Sequence, residues 1–429
     1  MLLVAAQAGV LDYAIVIVSI LSEANIFSNY DSTRDQDTNV EEKDDGEMDF
    51  IDQNIVAGEE RKKAKKWSHS AGDCLASMLA VGAYTYAGKR GLASTKKFCE
   101  ENGLNYAIMC RIQKMRSNLA SIVKNRLGTN AAGVAAKSGG FSYKMLPPTK
   151  IQENLLVQSI LSGLLDNVAV LATPGSISGD YPIDLRSAYI GCTFSANVPL
   201  FLDKTSLVYT RDFRQLPRWI CYDSIVRKTT QDGTPINIMK NITPIDPTWL
   251  GEISKETRII TLGHPLLSPL PIYDAAQDEM LCFVSTKYGS HGWEISPTKR
   301  SMYETLNCVN AKNNHDFLPD DSFRWFARFL WEGKVMIEFQ GLHQLMNDNP
   351  SLITQKTPST KVNMVVNSLA KKGIDSARAL RKYWYEKDDK FLFLQLKKWI
   401  KPGCYSQAKQ IWIEGVRQNV KKWKDKINS

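Results

Sequence analysis

The hydrophobic period of this 429-residue chain changes twice, and each change marks a different kind of packing. Up to Leu171 the apolar residues recur mostly at helical spacing. From Asp180 the pattern breaks into short apolar runs, Pro199–Leu202, Ser206–Tyr209, Trp219–Val226, Ile259–Leu262 and Leu281–Ser285, separated by Pro, Gly and Asp. Beyond Asp320 helical spacing returns. Short strands with turn signals between them predict a small antiparallel β-barrel. The expected class is α+β multidomain: a helical bundle, a small β-barrel and a C-terminal helical domain. The boundaries expected are 1–127 for the bundle, 128–150 for a linker, 151–318 for a helix plus the barrel, and 319–429 for the last domain. At roughly 150 residues per domain the length agrees with about three.

Residues 2–21 are apolar enough to raise the question of a signal peptide or membrane span. No Lys or Arg precedes Arg34, and Asp12 would lie near the centre of a span, at a cost of about 2.5–3.5 kcal/mol. The segment is therefore expected as a buried helix. Gly72-Asp73 opens a second helical pattern through Tyr86, with Ala76, Ala80, Gly82, Ala83 and Ala87 small enough for close helix approach. Phe98–Val123 is a third, broken by a turn at Asn102-Gly103. Gly128–Gly140 has linker composition. Pro147-Pro148-Thr149 starts a helix whose Ile151, Leu155, Ile160, Leu164, Val168 and Leu171 would share a face. Further helices are expected at Phe323–Leu330, Val335–Met346, Lys361–Lys371, Ala377–Tyr385 and Phe391–Ile400. A last one carries Ala408, Trp412, Val416, Val420, Trp423 and Ile427 on one stripe.

Charge is unevenly placed. Asp31–Glu60 holds twelve acids against Arg34 and Lys43, and Arg61–Lys66 follows at +5. The acidic stretch has almost no apolar periodicity and is expected as a solvated insert, either a plain solubilising loop or a mask over a basic surface. Residues 361–429 carry seventeen Lys/Arg against six Asp/Glu, a net of +11, which exceeds the +9 of the whole chain. Such a basic region favours polyanions, RNA before membranes.

No chemistry of catalysis stands out. The sequence contains no G-x-x-x-x-G-K-[ST], no G-x-G-x-x-G after a strand, no G-x-S-x-G and no H-E-x-x-H. Its eight cysteines form no CxxC pair and its five histidines are scattered, so no metal ligand set is expected. Reduced, mostly buried thiols are the expected state.

Several phrases nonetheless resemble a known family. Met1-Leu2-Leu3 and Gly9-Val10-Leu11-Asp12-Tyr13 are similar to the opening helix of the ratchet-like helicase-associated domain of DEAH-box RNA helicases. Gly72-Asp73-Cys74-Leu75 resembles that domain's GD-x-L helix, and Phe98–Tyr106 its FC-x-x-N-x-L-x-Y segment. Pro217–Val226 with Thr229-Thr230 resembles the barrel strand LP-x-x-V-x-Y-x-x-I-V-x-TT. Met145–Pro148 and Phe323–Gly333 resemble a nucleolar branch that acts in the small-subunit processome.

The resemblance covers nearly the whole chain, loosely in 260–320. It implies an OB-like barrel, RNA as the partner (pre-18S rRNA and a small nucleolar RNA) and processome assembly proteins beside it. The nucleus and nucleolus are the implied location. ATP and Mg are implied only for the motor domains, whose motifs this sequence lacks, so the chain alone is expected to need no cofactor and to hydrolyse no ATP. Met1 matches an internal methionine of the family, which leads to the expectation of a truncated gene model or a degenerate copy.

The implied phosphate contacts are Lys204, Arg211, Arg227, Lys228 and Lys240, with Thr205, Ser206, Thr229 and Thr230 as neutral donors. Tyr209 and Tyr222 would either stack on bases or pack in the core. Two departures bear on these. The family's His-Pro-Ser-Ser stretch is Asp203-Lys204-Thr205-Ser206 here, and the loop after Thr230 carries an insertion before Met239-Lys240. The alternative function is a protein-interaction module that docks a ribosome-assembly factor through the C-terminal helices. Its candidate anchors are Trp325, Trp331, Trp384, Trp399, Trp412 and Trp423.

Overall fold

The computed structural model describes residues 1–23, 25–27, 66–131, 145–173, 175–177, 185–195, 197–210, 212–229, 233–308, 321–355 and 359–428. The acidic insert 31–60, residues 61–65 of the basic run and linker residues 132–144 lie outside that set. Two compact units emerge. The first comprises residues 1–261 with 288–293, and the second 262–287 with 294–429.

In the first unit the apolar start forms two helices, α1 (Leu2–Gln7) and α2 (Leu11–Leu21), broken at Gly9, whose φ is +72°. Helix α2 is apolar on nearly all sides and is buried accordingly: Leu11, Ala14, Ile15, Val16, Ile17 and Ile20 are all in the core. It packs against α3 (Asp73–Ala87) and α5 (Tyr106–Ala131), with α4 (Leu92–Asn102) between those two in sequence. Gly103 ends α4 in the left-handed conformation, as the Asn102-Gly103 signal implied. Helix α5 runs on to Ala131, four residues into the expected linker.

Thr149 starts α6 (Lys150–Gly163) with a capping box. Its hydroxyl accepts the Gln152 N–H at 3.4 Å, while its own N–H reaches the Gln152 side chain at 2.9 Å. The helix does not continue to Leu171. It stops at Gly163, and Val168–Leu171 is a strand, β1. Its buried face is Leu156, Val157, Ile160 and Leu161, while Ile151 stands 74 % exposed. An apolar run at mixed spacing was divisible in either way, and the sheet claimed its second half.

That sheet has seven strands: β1, β2 (Tyr189–Gly191), β3 (Leu200–Leu202), β4 (Trp219–Cys221), β5 (Ser224–Thr229), β6 (Pro235–Lys240) and β7 (Thr243–Pro244). Their order is β5-β6-β3-β2-β1-β4-β7. All neighbours are antiparallel except β3 and β6, which run parallel with Leu200 opposite Asn237. The two outer strands do not pair, so the sheet is open and no closed barrel is seen among the described residues. Closure needs the first and last strands to meet in register with a stagger around the ring, and here β5 and β7 remain edges. The core beneath it contains Ala169, Tyr189, Leu200, Leu202, Leu216, Ile220, Tyr222, Met239 and Ile242. Ser206–Tyr209, expected as a strand, is a turn.

The second unit joins a smaller sheet to the C-terminal helices. Strands β8 (Ile260–Pro265), β10 (Glu279–Tyr288) and β11 (Trp293–Ser301) lie in the order β11-β10-β8, and β9 (Ile272–Asp274) pairs antiparallel with β10. In β10, Met280, Cys282 and Val284 alternate inward, as a half-buried strand requires. Two short helices, α7 (Leu250–Ile253) and α8 (Met302–Cys308), come earlier in the chain. A single large core unites Met280, Cys282 and Val284 with helices α9 (Asp321–Trp331), α10 (Thr360–Lys372), α11 (Ala377–Glu386), α12 (Phe393–Lys397) and α13 (Tyr405–Asn428), to which α9, α11 and α13 contribute tryptophans. Residues 337–345, expected as part of an α-helix, form 3₁₀ turns. Phe339 there stacks on Trp412 with centroids 4.9 Å apart, and Trp384 meets Trp412 edge-on at 5.6 Å. Gly415 makes this possible: a Cβ there would lie 2.4 Å from the Phe339 ring.

Candidate nucleic-acid interface

The Gly72-Asp73 pair that opens α3 fastens the helical part to the sheet. Gly72 has φ +94°, and a Cβ on it would sit 2.4 Å from the Ile242 carbonyl oxygen, so only glycine brings the backbone this close. The Asp73 N–H then donates to that same oxygen at 2.8 Å. The Asp73 carboxylate accepts from the Ser206 hydroxyl (2.8 Å), the Leu207 N–H (2.8 Å) and the Ile242 N–H (2.9 Å). Burial pushes this carboxyl up to about 6, against the pull of those three donors. The sequence marked Gly72-Asp73 only as a helix start, since its partners lie far along the chain.

The loop after β3 is therefore committed. Ser206 also caps Val208 through its hydroxyl at 3.2 Å, which closes the turn. Asp203, buried, accepts the Thr205 N–H at 2.7 Å and forms an ion pair with Lys240 at the end of β6. Burial alone would raise the Asp203 carboxyl, but Lys240 and Thr205 hold it below the usual carboxylate range. The Asp203 carboxylate thus occupies Lys240. Of the candidate contacts, Ser206 and Lys240 have internal partners, while Lys204 points to solvent and Thr205 is half-buried.

Arg227, Lys228 and Thr229 lie on β5, at the open edge of the sheet, and all three are exposed. They pair with Asn237, Ile236 and Pro235 of β6. The strand's alternation sets Arg227 and Thr229 on one face, beyond half-buried Ile225, and Lys228 on the other. Arg227 is three residues, about 10 Å, along the strand from Ser224, which faces Lys240 across the ladder. The structure therefore brings together Lys204, Thr205, Ser206 and Lys240 near one end of the β5–β6 ladder and sets Arg227–Thr229 along its edge. Arg211 and Thr230 lie outside the described residues. Tyr222 is 1 % exposed and belongs to the core, and Tyr209 is half-buried against the same cluster.

Nothing in this region resembles a metal centre, and among the described residues no cluster of three metal-ligating side chains occurs. No helix among them is long and apolar enough to cross a membrane. The tryptophans offered as docking anchors are mostly internal: Trp331 and Trp399 have no exposed surface, Trp384 and Trp412 only 2 %.

Two family models match this chain. Residues 1–77 match the ratchet-like helicase-associated domain (HA2), and residues 338–415 the DEAH helicase DHX37 C-terminal domain. The human protein named "Probable ATP-dependent RNA helicase DHX37" is 25 % identical over 419 residues, covering 96 % of this chain and 32 % of its own length. The Drosophila melanogaster protein "Probable ATP-dependent RNA helicase kurz" is 24 % identical over 421 residues, with 96 % and 31 % covered. The Arabidopsis thaliana "ATP-dependent RNA helicase DEAH13" is 22 % identical over 336 residues, covering 73 % and 23 %. The chain spans about a third of the length of the first two of these curated relatives.

Proposed function

Because the chain resembles the C-terminal, helicase-associated part of DHX37-like DEAH-box RNA helicases, we propose that it is the RNA-binding accessory half of such an ATP-dependent helicase. In this reading it acts in small ribosomal subunit biogenesis, on pre-18S rRNA and a small nucleolar RNA, beside processome assembly proteins in the nucleolus. ATP and Mg belong to the motor domains of the helicase, and this chain supplies grip on the strand. The open β5 edge carries the reading. It presents Arg227 and Lys228 to solvent with a neutral donor, Thr229, beside them. Guanidinium, ammonium and hydroxyl groups on an exposed strand are suited to phosphate oxygens, which position an RNA without selecting its sequence.

A salt titration tests it. Anisotropy of a labelled 20-nucleotide single-stranded RNA with the whole chain is expected to give a log K that falls linearly with log salt. Arg227→Gln with Lys228→Gln is expected to flatten that line by about 1.4, two single-strand contacts at about 0.7 each. Affinity indifferent to salt would sink the proposal. The second reading, docking of an assembly factor by the C-terminal helices, would have to use exposed side chains such as Tyr385 and Ile337, since all the candidate tryptophans but half-buried Trp423 are in the core.

A further inference from the structure

We propose that the outer face of the last helix, α13, is a second phosphate-binding surface for single-stranded RNA, built by Lys409, Arg417, Lys421 and Lys424. The inference rests on the RNA-binding reading above and adds a site to it.

The inner face of α13 fixes the helix rigidly. Ala408, Trp412, Val416 and Asn419 are buried, and Gly415 lies against Phe339. Asn419 accepts from Arg381 at 2.8 Å, and Lys422 forms an ion pair with Glu338. With that side anchored, the 3.6-residue period sends Lys409, Arg417, Lys421 and Lys424 to the outside, within about 120° of arc. All four are exposed. At 1.5 Å per residue the last three stand roughly 12, 18 and 22 Å along the axis from Lys409. They therefore form a row and not a point.

The row is uncommitted. Lys409, Lys421 and Lys424 make no ion pair or hydrogen bond with any described residue. Arg417 meets Glu414 at 3.3 Å, but both side chains are more than half exposed, so the pair is weak and readily exchanged for a phosphate. Glu414 and Asp425 are the acids at exposed positions of the helix, and both fall at the margin of the arc. The helix dipole explains cations in the final turn but not Lys409, which stands in the first two turns, where positive charge is not favoured. A membrane surface suits the face poorly, because its exposed apolar members are Ile413 and Ile427 with no aromatic anchor among them. A polyanion that follows a line of cations fits it better, and of those an RNA backbone has the denser charge.

The test is the same titration, with the whole chain carrying Arg417→Gln, Lys421→Gln and Lys424→Gln. Glutamine keeps helix propensity and the sites are exposed, so folding is preserved. Lys422→Gln, on the anchored side, serves as the comparison. The triple variant is expected to flatten the log K against log salt line by about 2, three contacts at about 0.7 each, and Lys422→Gln to leave it unchanged. An unchanged line in the triple variant, with the Arg227→Gln, Lys228→Gln line flattened, overturns this inference and leaves the first reading standing. Salt-independent binding by the unaltered chain overturns both. Loss of poly-glutamate binding with RNA binding intact overturns it in favour of an acidic protein partner.

Discussion

At Asp73 a buried carboxylate has three donors aimed at it from two separate loops. Asp73→Ala strips the acceptor and leaves the Leu207 and Ile242 N–H groups without it, which is expected to cost on the order of 3 kcal/mol in urea denaturation. Acidity makes a second, independent check. Burial holds the Asp73 proton up to about 6, above the ordinary 3.8 of the unfolded chain. The folded state then binds the proton where the unfolded state does not, so this group's contribution is full below about pH 3.8 and is lost as pH rises through about 6. The difference in stability between the unaltered chain and Asp73→Asn should therefore drift in the variant's favour across that window. Asp203 behaves in the opposite sense. Its carboxyl is depressed by Lys240 and Thr205, so its contribution is present above the ordinary carboxylate value and fades as pH falls below it. A Lys240→Met variant should accordingly lose stability at neutral pH and little of it near pH 3.

Among the elements, β5 and the Phe339 turns carry the clearest expectations. Gly415→Ala places a methyl group inside the Phe339 ring contact and is expected to destabilise the second unit by about 1–3 kcal/mol, read as a lower denaturation midpoint. The helix ends were legible where they are marked, as at Pro147-Pro148-Thr149 or Asn102-Gly103. The last helix was legible over its first half, since Ala408, Trp412 and Val416 are buried as their spacing required, while Val420 and Trp423 are half-buried and Ile427 at the end of the same stripe is exposed. Strand Val168–Leu171 was not, because a short apolar run after a helix has the same composition as more helix. Barrel closure was not legible either, since whether β5 meets β7 depends on stagger between strands that no local pattern records. In the candidate interface the exposed positions Arg227–Thr229 follow from the strand, but the engagement of Ser206 by Asp73 and of Lys240 by Asp203 depends on residues far apart in the chain.

Across the whole molecule the two units have separate cores, so each is expected to unfold as a transition of its own. Trp412→Ala removes the ring on which Phe339 and Trp384 converge, at a cost of about 3–5 kcal/mol. Calorimetry should show this as a downward shift of one transition, with the other, which reports the Asp73 unit, left in place. The Asp73 clamp also sets a timetable. Its partners lie 133, 134 and 169 residues downstream. A ribosome making this chain at about 5–20 residues per second releases Asp73 many seconds before Ile242 exists. For that interval α3 has no cap, and its carboxylate is an ordinary solvated acid. The helical part can reach its final fastening only after β7 is synthesised, so a stall or cleavage anywhere between the two leaves helices without a dock.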